Sequence, residues 1–312
     1  SWRCRIRELD GEMDVVDKHI LHMLTPLRHI SPFDVNMALD AGYDAAIPYT
    51  EVTLGDVSGL VQDAMFSRPP KTGVRTGVFI GGKKALEALD MLSAAKRALV
   101  PPFGISFFAD PAGSFTTAAA MVACVEKLLH DKKSRQFKGA RVAVFGATGV
   151  VGFSAAVIAA LQGADVTLVG YDGIKRVNES AVEINTRFNT EVRAADGSDE
   201  NKKSNILSAS DVVLCCGRAG VCVLSRAQLE VATNLLLVAD VNAVPPSGVE
   251  GLDMMANGSE VSSHHTLGVG PLAIGNIKYK TEFGLFKKMI EAAKPVCLDF
   301  RDAFALAREL NG

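Results

Sequence analysis

The chain has 312 residues, of which 48% are hydrophobic, and its formal net charge at pH 7 is −2. A chain of this length accommodates two domains with separate cores. The near-neutral charge argues against a nucleic-acid partner or an anionic membrane surface, and no segment approaches the length expected of a membrane span. The six cysteines lack zinc-ligand spacing, so we expect no metal site and a reducing, cytoplasmic compartment.

The first eighteen residues are polar and lack periodicity, and we expect them to be a tag remnant or a disordered extension. The following segment, residues 19–137, alternates short apolar runs with helical stretches. Strands are predicted at 20–24, 43–48, 78–80 and 105–108, with helices at 32–39, 53–67 and 84–99 and a long helix after 110. This βα repeat predicts a mostly parallel sheet that is covered by helices.

A glycine turn follows the polar boundary segment 130–138. Gly146, Gly149 and Gly152 come directly after an apolar run at 141–145 and open an apolar helix that Gly163 closes. Such a turn lets the backbone approach a pyrophosphate at the helix N-terminus, whereas the alternative is that the glycines only permit close helix–strand packing. We expect a bound dinucleotide here, with contacts from Gly146, Thr148, Gly149, Val150, Val151 and Gly152.

The choice of nucleotide depends on the end of the next predicted strand, at 166–169. Asp172 lies about twenty residues beyond Gly152, where an acidic residue binds the ribose diol of NAD. Lys175 and Arg176 follow closely and are suited to pair with the 2′-phosphate of NADP. These signals conflict, and we expect NADP to be accepted, with NAD as a second candidate. The remaining expected contacts to the cofactor are Tyr171, Cys216, Gly217, Asp240 and Asn242.

Further strands are predicted at 191–195, 211–215 and 235–239, and the tail becomes helical from about residue 275. The predicted fold class is therefore α/β, with two α/β domains and a cleft between them. The second domain, residues 138–280, is predicted to be a Rossmann-type NAD(P)-binding domain. The helices at 281–312 are expected to return to the first domain, and ligands in such folds bind beyond the carboxyl ends of the strands.

Polar residues in three predicted loops are candidates for substrate contact. Asp34 and Asn36 lie at the start of a predicted helix, where Asp34 is as well suited to cap the helix as to bind substrate. The segment 108–117 is rich in glycine and hydrogen-bonding side chains, which favours a ligand loop over simple caps. The segment 268–280 is predicted to be a glycine-rich loop that carries two lysines. The candidates from these loops are Asp34, Asn36, Asp110, Ser114, Thr117 and Lys278.

Six segments together resemble the NAD(P)-dependent methylene-tetrahydromethanopterin dehydrogenases of one-carbon metabolism, over residues 20–312. They are HMLTPLRHISPFDVNMALDAG, VFIGG, FADPAGSFTTAAAMV, VFGATGVVG, VADVNAVPPSGVEGLD and GPLAIGNIKYK. The resemblance implies oxidation of methylene- to methenyl-tetrahydromethanopterin, as part of formaldehyde oxidation, by a homo-oligomer for which a trimer is the candidate.

The resemblance also implies roles for particular residues. It places the family's functional lysine at Lys278 and lines the pterin cleft with Asp34, Asp110 and Thr117. Asp172 departs from the basic residue of the strictly NADP-dependent members, so exclusive use of NADP is not implied.

Loss of hydride from a carbon between two nitrogens leaves an amidinium-like cation, so no general base is strictly needed. A negative potential from Asp34 or Asp110 would stabilise that cation, whereas a charged Lys278 beside it would be unfavourable. We therefore expect Lys278 to contact a pterin carbonyl or the nicotinamide side. The alternatives are a methylene-tetrahydrofolate dehydrogenase and an NADP-binding sensor without turnover.

Overall fold

The first sheet of the molecule is parallel throughout and contains five strands. The computed structural model describes residues 18–312, so the expectation for the chain's first residues lies, up to residue 17, outside the described part. In spatial order the strands are β2 (Ala45–Tyr49), β1 (Ile20–Leu24), β3 (Thr76–Ile80), β4 (Ser106–Ala109) and β12 (Cys297–Leu298). The order reverses between β1 and β3, which creates a crevice at their carboxyl ends.

The second sheet contains seven strands and has the Rossmann order. Read from the β7 edge, the six parallel strands, numbered in chain order without the antiparallel β10, follow the order 3-2-1-4-5-6 of dinucleotide-binding domains. The seventh strand pairs with its neighbour in antiparallel fashion. The strands are β7 (Arg193–Asp196), β6 (Asp165–Gly170), β5 (Arg141–Phe145), β8 (Val212–Cys215), β9 (Leu237–Asp240), β11 (Leu267–Val269) and β10 (Asn257–Glu260).

Helices cover both sheets. Those beside the first sheet are α1 (Pro32–Ala41), α2 (Val57–Phe66), α3 (Ala85–Arg97), α9 (Pro271–Glu291) and α10 (Phe300–Asn311), and α4 (Ser114–Lys133) lies between the two sheets. Those of the second are α5 (Val150–Leu161), α6 (Lys175–Phe188), α7 (Glu200–Ser208) and α8 (Arg226–Val231). The nine strands expected from the sequence have bounds within two residues of the observed β1–β9, whereas β10, β11 and β12 were not expected. The predicted α/β class with a Rossmann-type second part is confirmed.

Residues 271–280 correct one expectation. The segment 268–280 was expected to be a glycine-rich loop, with helix from about residue 275, but α9 begins at Pro271 and continues to Glu291. Proline suits the first helical turn because its missing N–H would be unpaired there in any case. A side chain at Gly275 would meet nothing within 4 Å, so this glycine does not mark a turn. Ile274, Ile277 and Leu285 are buried on one face, and that face fixes the helix against the first domain.

An aromatic cluster holds α9 against the first sheet. The Phe286 ring on α9 lies 5.1 Å from that of Phe108 and 5.5 Å from that of Phe79, measured between centroids. All three rings are fully buried. Because α9 is fixed in this way, the side chains that its preceding turns project toward α1 have little freedom to move.

The helix α4 corrects a second expectation, that no segment approaches the length of a membrane span. The stretch Pro111–Lys133 is long and apolar enough to cross a membrane by length and composition alone, yet 78% of its apolar window is buried inside the protein. It packs against α5, α9 and α10 and so lies between the two sheets. Its apolar composition is explained by this position in the core.

Candidate active site

A cavity of about 600 Å³ opens at the carboxyl ends of β1, β3 and β4, beside the strand-order reversal of the first sheet. Its wall combines backbone turns with one buried acid, two lysines, an arginine and an exposed aromatic ring. The lining residues are Thr25, Leu27, Arg28, His29, Ile30, Ser31, Phe33, Asp34, Gly81, Gly82, Lys83, Ala112, Gly113 and Lys278. Two sequence-based candidates, Asp34 and Lys278, therefore meet at one cavity.

Lys278 is held in a narrow position between α1 and the start of α4. Its Nζ forms an ion pair with Glu282, one turn further along α9, and the Glu282 side chain is fully buried. The same Nζ lies 4.0 Å from the ring centroid of Phe33. An ideal Cβ on Gly113 would lie 3.2 Å from it, so the glycine makes room for the lysine. These contacts fix the ammonium group at the cavity wall.

Three carboxyl groups surround this lysine. Burial and the neighbouring Glu282 raise the pKa of Asp34 to about 9, and the same two causes raise the pKa of Asp110 to about 7. Lys278 opposes both shifts. Asp34 and Glu282 lie within hydrogen-bonding range, and Glu282 Oε1 has no other donor within residues 18–312. Because burial and Glu282 raise the pKa of Asp34 furthest, Asp34 is the carboxyl group of the cluster that we assign as protonated at neutral pH.

Asp110 holds the backbone turn between β4 and α4, which forms part of the cavity wall. Its carboxylate accepts hydrogen bonds from the Phe115 N–H (2.9 Å), the Thr116 N–H (3.2 Å) and the Thr116 Oγ1 hydroxyl (2.6 Å). It is fully buried and does not line the cavity. These bonds cap α4 and hold the turn in which Ala112 has φ +51°. Asp110 therefore positions the cavity wall, as well as adding its charge to the cluster.

The other three candidates for substrate contact, Thr117, Ser114 and Asn36, lie in different surroundings. Thr117 donates its Oγ1 hydrogen to the Gly113 carbonyl at 2.7 Å, which supports the same turn. The Ser114 hydroxyl is buried at the start of α4 and has no partner within the described residues. Asn36 lies exposed on α1, outside the residues that line the cavity. Sequence order alone placed Asn36 near Asp34, but a separation of two residues turns a helical side chain to another face.

Two of the three glycines in the turn are required by close packing, and the third is not. Gly146 has φ +76°, and a Cβ there would lie 2.1 Å from the Cys216 carbonyl oxygen. A Cβ on Gly152 would lie 2.4 Å from the Gly146 carbonyl oxygen. Both glycines are therefore required by close packing. A Cβ on Gly149 would meet only the Gly146 oxygen, at 3.3 Å, so packing does not demand glycine at this position.

The N-terminus of α5 fits a pyrophosphate. Val150, Val151 and Gly152 form its first turn, where backbone N–H groups have no partner within the helix. A second cavity of about 200 Å³ lies beside this turn and is lined in part by Thr148, Gly149 and Val150. Lys83 lines this cavity as well as the larger one. The two cavities are therefore neighbours along the cleft.

The residues expected to choose the nucleotide form one cluster at the end of β6. Arg176 donates to the Asp172 carboxylate at 3.1 Å, to the Tyr171 hydroxyl at 3.3 Å and to the Thr148 hydroxyl at 3.4 Å. Lys175 precedes it at the exposed start of α6. The acidic and basic signals that conflict in the sequence are thus an ion pair in the structure. Because both partners are exposed, the pair is weak and separates at little cost.

Four expected cofactor contacts serve the loops at the carboxyl ends of β8 and β9. Asp240 accepts from the N–H groups of Asn242 (2.9 Å), Gly248 (2.8 Å) and Val249 (3.2 Å). Asn242 Oδ1 in turn accepts from the N–H groups of Gly220 and Val244, so these side chains fix the loops rather than offer free polar atoms. The other two positions are in the loop after β8: Cys216, whose carbonyl abuts the glycine turn, and Gly217, packed against Val223.

Glu282 is the main site residue that sequence reasoning missed. Lys278 and Glu282 are separated by four positions, which on a helix places them on one face. That signal was hidden because the segment was assigned to a loop. Phe33, Arg28 and Lys83 were also missed, since exposed aromatic and basic side chains carry no local signal of a shared cavity.

Comparisons with known proteins identify relatives of this chain. Residues 32–112 match a family model described as methylene-tetrahydromethanopterin dehydrogenase, N-terminal. An NAD(P)-dependent methylenetetrahydromethanopterin dehydrogenase of Methylorubrum extorquens is 52% identical over 95% of this chain and 99% of its own length. The bifunctional protein MdtA of the same organism is 31% identical over 90% of this chain and 94% of its own length.

Among solved structures, quinate dehydrogenase from Corynebacterium glutamicum in complex with NAD has a similar fold. It has a TM-score of 0.53, covers 93% of this chain and 98% of its own, and is 15% identical. At this identity the similarity supports the fold alone.

Proposed function

This chain belongs to the family of NAD(P)-dependent methylenetetrahydromethanopterin dehydrogenases, and from that premise we propose that it oxidises methylene- to methenyl-tetrahydromethanopterin with NADP or NAD. One structural observation links this proposed activity to particular residues. The family-specific segments around Asp34 and Lys278 converge on a 600 Å³ cavity, which shares Lys83 with the cavity at the glycine turn. A carrier and a dinucleotide bound in these two places would face each other across the cleft.

The reaction requires charge stabilisation more than proton transfer. NAD(P), when bound, supplies the hydride acceptor. The carbon between two nitrogens becomes part of an amidinium-like cation, and no proton leaves it. The chain's own residues bind and orient the carrier and set the local potential. Lys278 is assigned as a hydrogen-bond donor to a pterin carbonyl or to the nicotinamide side, because Glu282 takes one of its three N–H groups and no second acceptor for it is found within residues 18–312.

The ion pair between Asp172 and Arg176 suits this site to bind either NAD or NADP. With NAD, the Asp172 carboxylate accepts from the hydroxyls of the adenosine ribose. With NADP, Arg176 leaves Asp172 and pairs with the 2′-phosphate, assisted by Lys175. Because the exposed ion pair between Asp172 and Arg176 is weak, breaking it costs little free energy.

The cellular setting forms part of the same proposal and rests on the family resemblance. It assigns the enzyme to formaldehyde oxidation in one-carbon metabolism, in the cytoplasm, as a homo-oligomer. A trimer is the expected assembly, and light scattering coupled to size-exclusion chromatography measures it directly.

The experiment that tests the function compares carriers and nucleotides. The purified protein is assayed for nucleotide reduction with methylene-tetrahydromethanopterin and with methylene-tetrahydrofolate, each with NADP and with NAD. We expect turnover with the methanopterin carrier and with both nucleotides. Turnover with the folate carrier alone would favour a methylene-tetrahydrofolate dehydrogenase. Nucleotide binding without turnover on either carrier would favour a sensor.

A further inference from the structure

The charge of Lys278 poses a problem for the proposed reaction. An ammonium group fixed at the wall of the substrate cavity opposes formation of a cation in that cavity. We propose that Glu282 is a positioning residue that both holds Lys278 and cancels its charge, so that the lysine binds the carrier without repelling the cationic product. This inference rests on the proposed function.

The geometry gives Glu282 this role and no other evident one. It follows Lys278 by one helical turn, its side chain is fully buried, and one carboxylate oxygen contacts Nζ. It does not line the cavity, so it touches Lys278 without reaching the bound carrier. A buried carboxylate of this kind persists only where a partner compensates its charge.

The second carboxylate oxygen supports the same reading. Glu282 Oε1 is buried without a donor in the described part of the chain unless Asp34 carries a proton. With Asp34 neutral, the positive charge of Lys278 and the negative charge of Glu282 cancel. Asp110, at the end of β4, adds a partial negative charge. The charged side chains that face this point come from α9 (Lys278, Glu282), α1 (Asp34) and the end of β4 (Asp110). These four side chains together contribute a neutral to negative charge, while Arg28 and Lys83 contribute positive charge elsewhere on the cavity wall.

Removing the Glu282 charge leaves Lys278 without its contacting carboxylate and shifts that sum in the positive direction, by at most one unit because Glu282 also raises the pKa values of Asp34 and Asp110. The neutral methylene carrier gains or loses little from such a shift. The cationic methenyl carrier meets an uncompensated ammonium, and we expect its affinity and the forward kcat to fall by about ten- to a hundredfold. A purely structural role would weaken binding of both carriers equally.

The test uses the Glu282→Gln variant of the full chain. Equilibrium binding of methylene- and methenyl-tetrahydromethanopterin is measured separately from kcat. We expect the Kd of the methenyl carrier to rise at least tenfold while that of the methylene carrier changes less than about threefold. Glu291→Gln is the matched control, since Glu291 is an exposed carboxylate on the same helix.

A double variant, Lys278→Met with Glu282→Gln, keeps the inference falsifiable if the single variant folds poorly. It removes both charges, and neutral replacement of a buried pair is tolerated better than removal of one partner. We expect it to bind the methenyl carrier more tightly, relative to the methylene carrier, than Glu282→Gln does. Equal changes in both Kd values, or none, would overturn the role of Glu282. Failure of the wild-type protein to bind or turn over either carrier would instead overturn the proposed function.

Discussion

The ammonium group of Lys278 and the carboxylate of Glu282 form a buried ion pair on one face of α9, at the wall of the cavity between the β1 and β3 strand ends. The aromatic cluster around Phe286 fixes this helix against the first sheet. Packing in the core thereby determines where the charged pair lies. The lysine reaches the cavity, and the glutamate remains behind it.

Lys278→Met tests the lysine itself. The variant loses a hydrogen-bond donor to the carrier, and we expect kcat/KM for methylene-tetrahydromethanopterin to fall by about a hundredfold or more. Lys280→Met is the matched control because Lys280 is exposed on the same helix. Steady-state kinetics measures both variants. Unchanged kcat and KM in Lys278→Met would contradict the assignment.

The buried acids make stability depend on pH in a definite direction. The pKa of Asp34 is about 9 in the folded protein, well above its usual value near 4. Between these values the folded state binds the proton that the unfolded state has lost, so stability falls as pH rises and levels off above about 9. We expect Asp34→Asn to lose less stability than the wild type between pH 6 and pH 9. Thermal unfolding at several pH values measures this, and parallel curves for the two proteins would show that Asp34 does not hold the proton.

The Asp172 and Arg176 pair predicts opposite effects on the two nucleotides. Arg176→Gln removes the partner of the 2′-phosphate, so the KM for NADP should rise about ten- to a hundredfold with little change for NAD. Asp172→Asn frees the arginine, and the KM for NAD should rise while that for NADP falls. Arg193→Gln removes another exposed, paired arginine, on β7, and is the control. Equal effects of Arg176→Gln on both nucleotides would show that this pair does not discriminate between them.

The glycine turn offers a test of packing against binding. Gly146→Ala places a Cβ 2.1 Å from the Cys216 oxygen at a positive φ, so we expect a loss of stability above about 2 kcal/mol. Gly149→Ala places a Cβ 3.3 Å from the Gly146 carbonyl oxygen, a tight contact that a small backbone shift relieves, so we expect a much smaller loss of stability. Its methyl group stands where a pyrophosphate approaches, so the Kd for NADP should rise. Thermal unfolding and equilibrium binding measure the two effects. If Gly149→Ala binds NADP normally, the glycines serve packing alone.

Local signals were sufficient for much of this fold. Apolar runs with short polar breaks located the strands, and the three glycines at 146, 149 and 152 located the dinucleotide turn. The same approach failed at the start of α9, because the glycines of 268–280 were taken to mark a loop, although helix was expected from about residue 275. The buried face of Ile274 and Ile277 instead favours a helix from Pro271. Tertiary packing overrides such local signals.

The candidate site was harder to predict because its partners are remote in sequence. Asp34 and Lys278 were identified through motifs, but nothing local shows that Asp34, Asp110 and Glu282 share one buried cluster. The roles of Asp110 and Asp240 also depend on backbone N–H groups that only the folded loops bring to them. Hydrogen-bond partners of this kind follow from tertiary structure and cannot be inferred from residue type.

The most direct test of the account follows the transferred hydrogen. Methylene-tetrahydromethanopterin with two deuterium atoms on its methylene carbon is turned over with NADP. The label is traced by mass spectrometry in the reduced nucleotide and in the solvent. The account predicts one deuterium in each reduced nicotinamide and none in water, because the residues of this site stabilise charge and abstract no proton from the reacting carbon. Deuterium released to water would contradict it, since that result requires a general base in the cluster around Lys278.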